Sequence, residues 1–443
     1  MIRIANGQGF WGDWLEAPVR LVEQGPIDYL TLDYLAEVTM SILQKQRQAD
    51  PNLGYARDFP PLIERIARKI RHKHIKVIAN AGGVNPIACA RETLRLAPGL
   101  KVAVVLGDDV LHRLDEFLAK GYAMRELDTG QPLSTVRERI LAANAYIGAF
   151  PLAQALDTGA DVVITGRCTD PALALAPMIH RFGWAPEDYD KLAAGTVAGH
   201  IIECGAQSTG GNCQVGWQNL DLDNIGYPIV EAHADGSFVV TKHPATGGRV
   251  HSDVVKEQLL YELGDPRNYI NPDCVADFTS IQLADIAPDH VRVSGIRGGK
   301  RPADLKLSIA YSNGWKAIGT LVYSWPQALE KARAADAIVR KRLASLGLQF
   351  EEIYTEYFGV NAVLGSAAPK VPDPPEVQLR MGVRGQDRKA VDRFTREMIP
   401  LVLSGPPGGT GYGEGRPKVR EVVSYWGALV PREEIETRVE VVS

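Results

Sequence analysis

Short apolar, β-branched runs recur along the first half of the chain, separated by segments whose apolar residues return at helical spacing. IRIAN (2–6) is followed by Leu15, Val19 and Val22, then by IDYLTL (27–32), two helical stretches to about His72, and IKVIAN (75–80). KVAVVLG (101–107), NAYIGAF (144–150) and ADVVITG (160–166) continue the series. A strand that is apolar at every position is covered on both faces, and its alternation with helices marks parallel βαβ units. The pattern predicts an α/β fold whose N-terminal domain, residues 1–225, is a doubly wound, mostly parallel sheet. A barrel is the second choice.

Past residue 225 the pattern changes. GYPIVEAHADGSFVVTKH carries a hairpin signal at Asp235-Gly236, and LKLSIAYSNGWKAIGTLVYSW (305–325) repeats it at Asn313-Gly314. A long helix over roughly 326–347 follows, then a Pro-rich connector (368–377), a strand, a helix over 388–403 and a Gly-rich loop at 404–416. Residues 226–443 are therefore expected to form a C-terminal α+β domain.

Composition narrows the function classes. At 443 residues the chain exceeds one ordinary core. It is 45% hydrophobic and 23% charged, with net charge −4 and no basic stripe, so nucleic acid is not an expected partner. No apolar run approaches the ~20 residues that span a bilayer, and MIRIANGQGF lacks the features of a signal peptide. Five cysteines (Cys89, Cys168, Cys204, Cys213, Cys274), odd in number and without CxxC spacing, favour reduced thiols and a cytoplasmic protein. His72 and His74 read as helix-end cations, and no spacing is that of a zinc or iron centre, so no metal is expected.

The chemistry sits where strands end. Ligands of open parallel sheets bind beyond the strands' C-terminal ends. Here those ends carry Asn6-Gly7-Gln8-Gly9, then Asp33, Tyr34 and Glu37, then Asn80, Gly82, Gly83 and Asn85, then Asp108-Asp109. VVITG is followed by Arg167-Cys168-Thr169-Asp170, and GHIIECGAQSTGG supplies His200, Glu203, Cys204, Gln207 and Thr209. One polar strand end is an ordinary cap; so many in phase predict a shared cleft, with paired glycines admitting a ligand to the backbone. Arg167, beside a helix start, suits a carboxylate or phosphate, though an ion pair with Asp170 is its plain structural alternative. Asp170 before Pro171 also reads as a helix cap. Glu203 in an apolar run would have a raised pKa fit for general acid–base work, with Cys204 lining the site or assisting.

Two glycine patterns add less. Gly7-x-Gly9-x-x-Gly12 matches a dinucleotide fingerprint, but Asp13 would put a carboxylate where the pyrophosphate belongs, so no redox cofactor is expected. The 404–416 loop lacks a P-loop's GK[ST]. With Arg416 and Lys418 behind it, it could instead form a lid over an anionic substrate, with Tyr412 as proton donor, or a plain surface loop.

Taken together, "DYLTLDYLAEVTM", "IANAGGVNPIACA", "VITGRCTDPALALAPMIHRFGW", "AGHIIECGAQSTGG" and "SGPPGGTGYGEGRPKV" resemble the acyclic terpene utilisation family over nearly the whole chain. The resemblance implies a place in the breakdown of branched acyclic terpenoids through acyl-CoA intermediates. It also implies a possible small companion subunit, since longer members carry an extra C-terminal domain and this chain ends at RVEVVS.

The expectation is a cofactor-independent hydratase or dehydratase acting on a small or branched carboxylate or acyl-CoA, in a homo-oligomer. Arg167 would hold the substrate anion. Asn80, Asn85 and backbone N–H groups near Gly82 and Gly83, with Gln207 and Thr209, would polarise or position the carbonyl group. Glu203 or Asp170 would move the proton α to it. The alternative is a non-catalytic subunit whose cleft holds an acyl ligand for a partner enzyme.

Overall fold

The computed structural model describes residues 1–35, 37–411 and 415–442, without the side chain of Glu37. Its first half alternates strands and helices. The strands are β1 (Ile2–Asn6), β2 (Tyr29–Leu32), β3 (Lys76–Ala79), β4 (Val102–Leu106), β5 (Ile140–Ala145) and β6 (Val162–Thr165). The helices are α1 (Glu16–Gln24), α2 (Glu37–Ala49), α3 (Phe59–Lys73), α4 (Pro86–Leu96), α5 (Leu114–Ala119), α6 (Phe150–Asp157), α7 (Ala172–Phe182) and α8 (Tyr189–Ile202). Five of these strands pair in parallel in the order β1-β2-β3-β6-β4.

Why this sheet forms is visible in its side chains. Val102, Val104, Val162 and Ile164 enter one core with α1, α3 and α4. Their neighbours Ala103, Val105 and Val163 enter a second core with α6, α7 and α8. Successive residues of a strand point to opposite faces, so a run apolar throughout feeds two cores at once. Turn chemistry fits as well: Pro86 opens α4 behind the N-cap Asn85, and Gly183 ends α7 at φ 66°.

Antiparallel strands extend the sheet on both sides. β7 (Pro228–Ala232) and β8 (Phe238–Lys242) form the hairpin expected at Asp235-Gly236, with Gly236 at φ 91°, and β7 pairs with β1. Helix α9 (Ser252–Leu260) follows. β9 (Tyr269–Ile270), β10 (Val275–Asp277) and, later in the chain, β13 (Arg297–Gly299) make a small separate sheet. Between them β11 (Gln282–Ala287) and β12 (His290–Ser294) join β8. The last strand, Arg438–Val442, closes the far edge antiparallel to β4.

Two compact units result, Met1–Ala310 with Tyr425–Ser443, and Tyr311–Ser424. The boundary expected near 225 therefore falls inside the first unit, because β7 hydrogen-bonds directly to β1 and continues its sheet. The second unit contains most of β14 (Asp304–Ser324), helix α10 (Ala328–Ser345), β15 (Glu352–Phe358), β16 (Glu376–Gly385) and helix α11 (Arg388–Met398). Its strands are antiparallel, with β16 between β14 and β15, and α10 and α11 bury Ala332, Ala335, Val339 and Phe394 against them.

Three local expectations differ from the structure. Asn313-Gly314 makes no hairpin: β14 runs straight through it, with Gly314 at φ 86° absorbing the irregularity. The 144–150 segment is not a strand of the parallel sheet; β5 ends at Ala145 and pairs with β14. The helix expected over 388–403 is interrupted, α11 stopping at Met398 before Pro400.

Candidate functional site

Five parallel strands deliver their C-terminal ends to one rim, and the rim is polar and buried. At the end of β1, Asn6 donates from Nδ2 to the carbonyls of Ile202 (2.7 Å) and Glu203 (2.8 Å), tying the end of α8 to the sheet. Beyond β2 and β3, Asn80 donates to Asp33 Oδ1 (2.7 Å) and accepts from the Tyr34 N–H (2.7 Å). Beyond β6, the Arg167 main-chain N–H donates to Asp108 Oδ2 (2.7 Å), at the end of β4. Asn144 donates to the same oxygen at 2.9 Å. A side chain on Gly166 would stand 2.4 Å from this carboxylate, so only glycine fits there.

Arg167 is the largest fully buried side chain, 2% exposed. Its Nη1 donates to the Leu35 carbonyl (2.7 Å) and to Asp170 Oδ1 (2.8 Å), and its guanidinium lies 4.3 Å from the centre of the Tyr146 ring. The cation expected to hold a substrate anion is thus engaged internally, because burial obliges a guanidinium to find protein partners. Asp170 is the outward end of the pair.

A second pair stands at the end of α8. His200, buried, meets Glu203 with Nδ1 to Oε1 at 3.0 Å. Its ring packs 5.3 Å from Tyr269 and 5.5 Å from Phe278. Burial pushes the Glu203 carboxyl up to about 7; His200 opposes that, and the charges of Asp170 and Glu262 reinforce it. For His200, burial alone would lower the pKa, but the Glu203 carboxylate outweighs it and the net direction is upward. The protonation of each group therefore depends on that of the other. Neither Glu203 Oε2 nor His200 Nε2 has a protein partner.

A cavity of about 500 Å³ is lined by Tyr146, Thr169, Asp170, Tyr269, Lys306 and Leu429 among others; His200 and Glu203 do not line it, and Tyr269, packed against the His200 ring, connects the pair to it. The lining is mainly apolar, as for a small-molecule site with a few placed polar groups. Thr169 Oγ1 is buried without a partner. Lys306 Nζ lies 5.2 Å from the Tyr146 ring centre and 5.5 Å from that of Tyr425. Burial, then the charges of Glu203 and Asp170, hold the Tyr269 phenol well above its ordinary pKa, so it stays a neutral hydrogen-bond donor.

Of the residues expected at the site, Asn80, Arg167, Asp170, Glu203 and Cys204 gather on this rim. Asn80 spends its amide on Asp33 and Tyr34, which makes it a positioning group rather than a carbonyl polariser. Cys204 is partly buried, and desolvation with the Glu203 charge pushes its thiol up to about 12, which suits a wall and not a thiolate nucleophile.

Others go elsewhere. Gly82 packs against the Thr165 carbonyl and Pro86, and Gly83 sits at φ 53° against Leu43. Asn85 caps α4 and donates to the carbonyls of Pro51 (2.9 Å) and Leu53 (2.8 Å). Gly83 and Asn85 line a different cavity, of about 350 Å³, with Asp108, His112 and Arg438. Thr209 bonds to the carbonyls of Ala206 and Gly226 within the 205–209 turn that also holds Gln207. Tyr412 lies outside the described residues, as does the side chain of Glu37.

Tyr146, Tyr269 and Lys306 are the residues sequence reasoning missed. Tyr146 sits in a segment read as a strand, and the other two lie past 225 without a motif.

The dinucleotide-like glycines serve packing. A Cβ on Gly9 would stand 2.9 Å from the Cys204 backbone, and the Gly9 N–H donates to Asp13 Oδ2 (2.9 Å), where a pyrophosphate would have to sit. Among the described residues, no cluster of three or more His, Cys, Asp or Glu is arranged to hold a metal ion, and no helix is long and apolar enough to cross a membrane.

A family model described as acyclic terpene utilisation family protein AtuA matches residues 2–441. Neither a curated protein nor a solved structure matches the chain.

Proposed function

The chain belongs to the acyclic terpene utilisation family, and on that premise we propose that its strand-end cleft is the active site of a hydratase or dehydratase acting on a branched acyl thioester or carboxylate. Membership points to a role in acyclic terpene utilisation. The finer reading rests chiefly on one observation: a carboxylate, Glu203, raised by burial to about 7 and with Oε2 unpartnered, paired with His200, whose ring packs on Tyr269 in the lining of a mostly apolar cavity. A general base works best when its pKa lies near the operating pH.

In the dehydrating direction Glu203 takes the proton from the carbon α to the carbonyl. The released pair forms the Cα=Cβ bond as the Cβ–O bond breaks. The hydroxyl leaves as water with the proton Glu203 has gained, and the carboxylate is restored. Hydration is the reverse. His200 orients Glu203 through the 3.0 Å contact. The Tyr269 phenol and the Thr169 hydroxyl donate to the carbonyl oxygen as charge develops there. Lys306 attracts the substrate's anionic end, and the apolar lining takes the branched chain. Five free cysteines fit a reducing, cytoplasmic setting.

The test is incubation of the protein with branched 2-enoyl and 3-hydroxyacyl thioesters and free acids, followed by mass spectrometry. Gain or loss of one water supports the proposal. Ligand retained unchanged supports the binding-subunit reading and contradicts catalysis.

A further inference from the structure

Outside the strand-end cleft, the described residues of the second unit concentrate positive charge around two basins. Two adjoining basins, of about 730 and 590 Å³, share Arg416, Pro417 and Lys418 as their divide. Arg388 and Lys389 border the first basin, and Lys316 and Arg420 the second. Asp392 is the one acid among the described lining residues, and it is engaged with Arg396 (3.0 Å) and Arg416 (3.4 Å). Among the described residues, Lys316, Lys389, Lys418 and Arg420 form no ion pair. The chain as a whole is net −4, so this is not a generally basic surface.

The local chain is shaped to hold these cations together. Thr410 exchanges two backbone hydrogen bonds with Val322 of β14 (2.8 and 2.9 Å), which holds the chain at that residue beside the strand. A Cβ on Gly319 would stand 3.0 Å from Pro417, so the bare strand position lets the 416–418 segment lie close against β14. Arg388 and Lys389 occupy the first turn of α11, behind the N-cap Asp387, which accepts from the Lys389 N–H (2.8 Å); two basic side chains at the positive end of the helix dipole are electrostatically out of place. Like charges brought this close raise the energy of the surface unless an anion neutralises them.

We propose that these basins bind a small ligand carrying two or more phosphate groups, with a nucleoside diphosphate as the simplest member. The volumes are those of small-molecule sites, and two basins separated by one basic segment suit phosphates lying on either side of it. Arginine and lysine are the side chains that recognise phosphate, the former through its planar fork. A nucleic acid needs a stripe tracking a long backbone, whereas this patch is confined to one loop, one strand segment and one helix start. The inference stands apart from the reading of the strand-end cleft, since every residue in it lies within Tyr311–Ser424.

Isothermal titration of the full chain with ADP, pyrophosphate, inorganic phosphate and a short single-stranded oligonucleotide tests it. ADP and pyrophosphate are expected to bind saturably at one site per chain, more tightly than inorganic phosphate. The double variant Arg416→Ala/Lys418→Ala is expected to lose about tenfold or more in ADP affinity, and Arg68→Ala/Lys69→Ala, on an exposed face of α3, none. All the substituted side chains are exposed, so the fold is retained. Absence of saturable binding overturns the proposal. Equal affinity in the Arg416/Lys418 variant, or tighter binding of the oligonucleotide than of ADP, does so too.

Discussion

His200 Nδ1 and Glu203 Oε1 lie 3.0 Å apart where the chain leaves α8, with the imidazole buried and the carboxylate 12% exposed. The relationship depends on a backbone tie from elsewhere: Asn6, at the end of β1, holds the Ile202 and Glu203 carbonyls and so fixes the point at which the helix ends. A carboxylate in that position cannot be solvated freely, and its proton affinity becomes a property of its neighbours.

The pH profile should report this coupling. Glu203 acts as base when ionised, so the acid limb of kcat/KM is expected near the carboxyl's value of about 7. His200 lowers that value, while Asp170 and Glu262 raise it. In His200→Gln the lowering influence is gone, so the limb should move to higher pH. A limb moving to lower pH contradicts the coupling; a melting curve checks that the variant is folded.

Lys306 is exposed and stands at the mouth of the cavity. Lys306→Ala should raise KM by about tenfold with kcat nearly unchanged, the pattern of a lost binding contact rather than a lost transition-state contact. A fall in kcat with constant KM would assign Lys306 to the chemistry instead.

Asp108 makes a stability prediction. Burial raises its carboxyl from 3.8 to about 7, against the hydrogen bonds from Arg167 and Asn144. The folded state therefore holds a proton that the unfolded state releases at lower pH. Unfolding free energy from this group is full below the unfolded value and is lost as pH rises through about 7, by on the order of a few kcal/mol. Asp108→Asn mimics the protonated side chain, so the decline in Tm between about pH 4 and pH 7 should flatten. An unchanged slope would place the titration elsewhere, in Asp33 for example, whose carboxyl is also raised by burial.

Gly166→Ala tests the tightness of the rim. The new methyl would meet the Asp108 carboxylate, which cannot retreat without releasing the Arg167 N–H and Asn144. A loss of about 1–3 kcal/mol in denaturant unfolding is expected. Wild-type stability would mean that the strand ends yield to the extra methyl.

How far could this arrangement be read from the sequence? The sheet was legible because VAVVL and VVIT are apolar at consecutive positions, which only a strand covered on both faces requires. Those runs set the phase of the strand ends, where Asn80, Arg167 and Asp170 stand in the sequence. Their roles were harder to see. Whether Arg167 faces a ligand or Asp170 depends on burial, which local pattern does not record, and the same holds for Asn85, whose amide caps α4 and binds two carbonyls. Tyr269 and Lys306 carry no motif at all; long-range packing alone brings them to the cavity. The boundary placed near 225 followed a real change from parallel to antiparallel pairing, but β7 makes that change within one sheet. Asn313-Gly314 has the composition of a tight turn, and the pairing of β14 with β16 overrides it.

If Glu203 moves the proton α to a carbonyl, exchange of that proton with solvent reports the step without any other. In D2O, wild-type protein should wash deuterium into the α position of a branched 3-hydroxyacyl thioester, followed by NMR. Glu203→Gln, with an unchanged melting curve, should slow the exchange by about a hundredfold or more. Exchange at the wild-type rate in that variant would exclude Glu203 as the base.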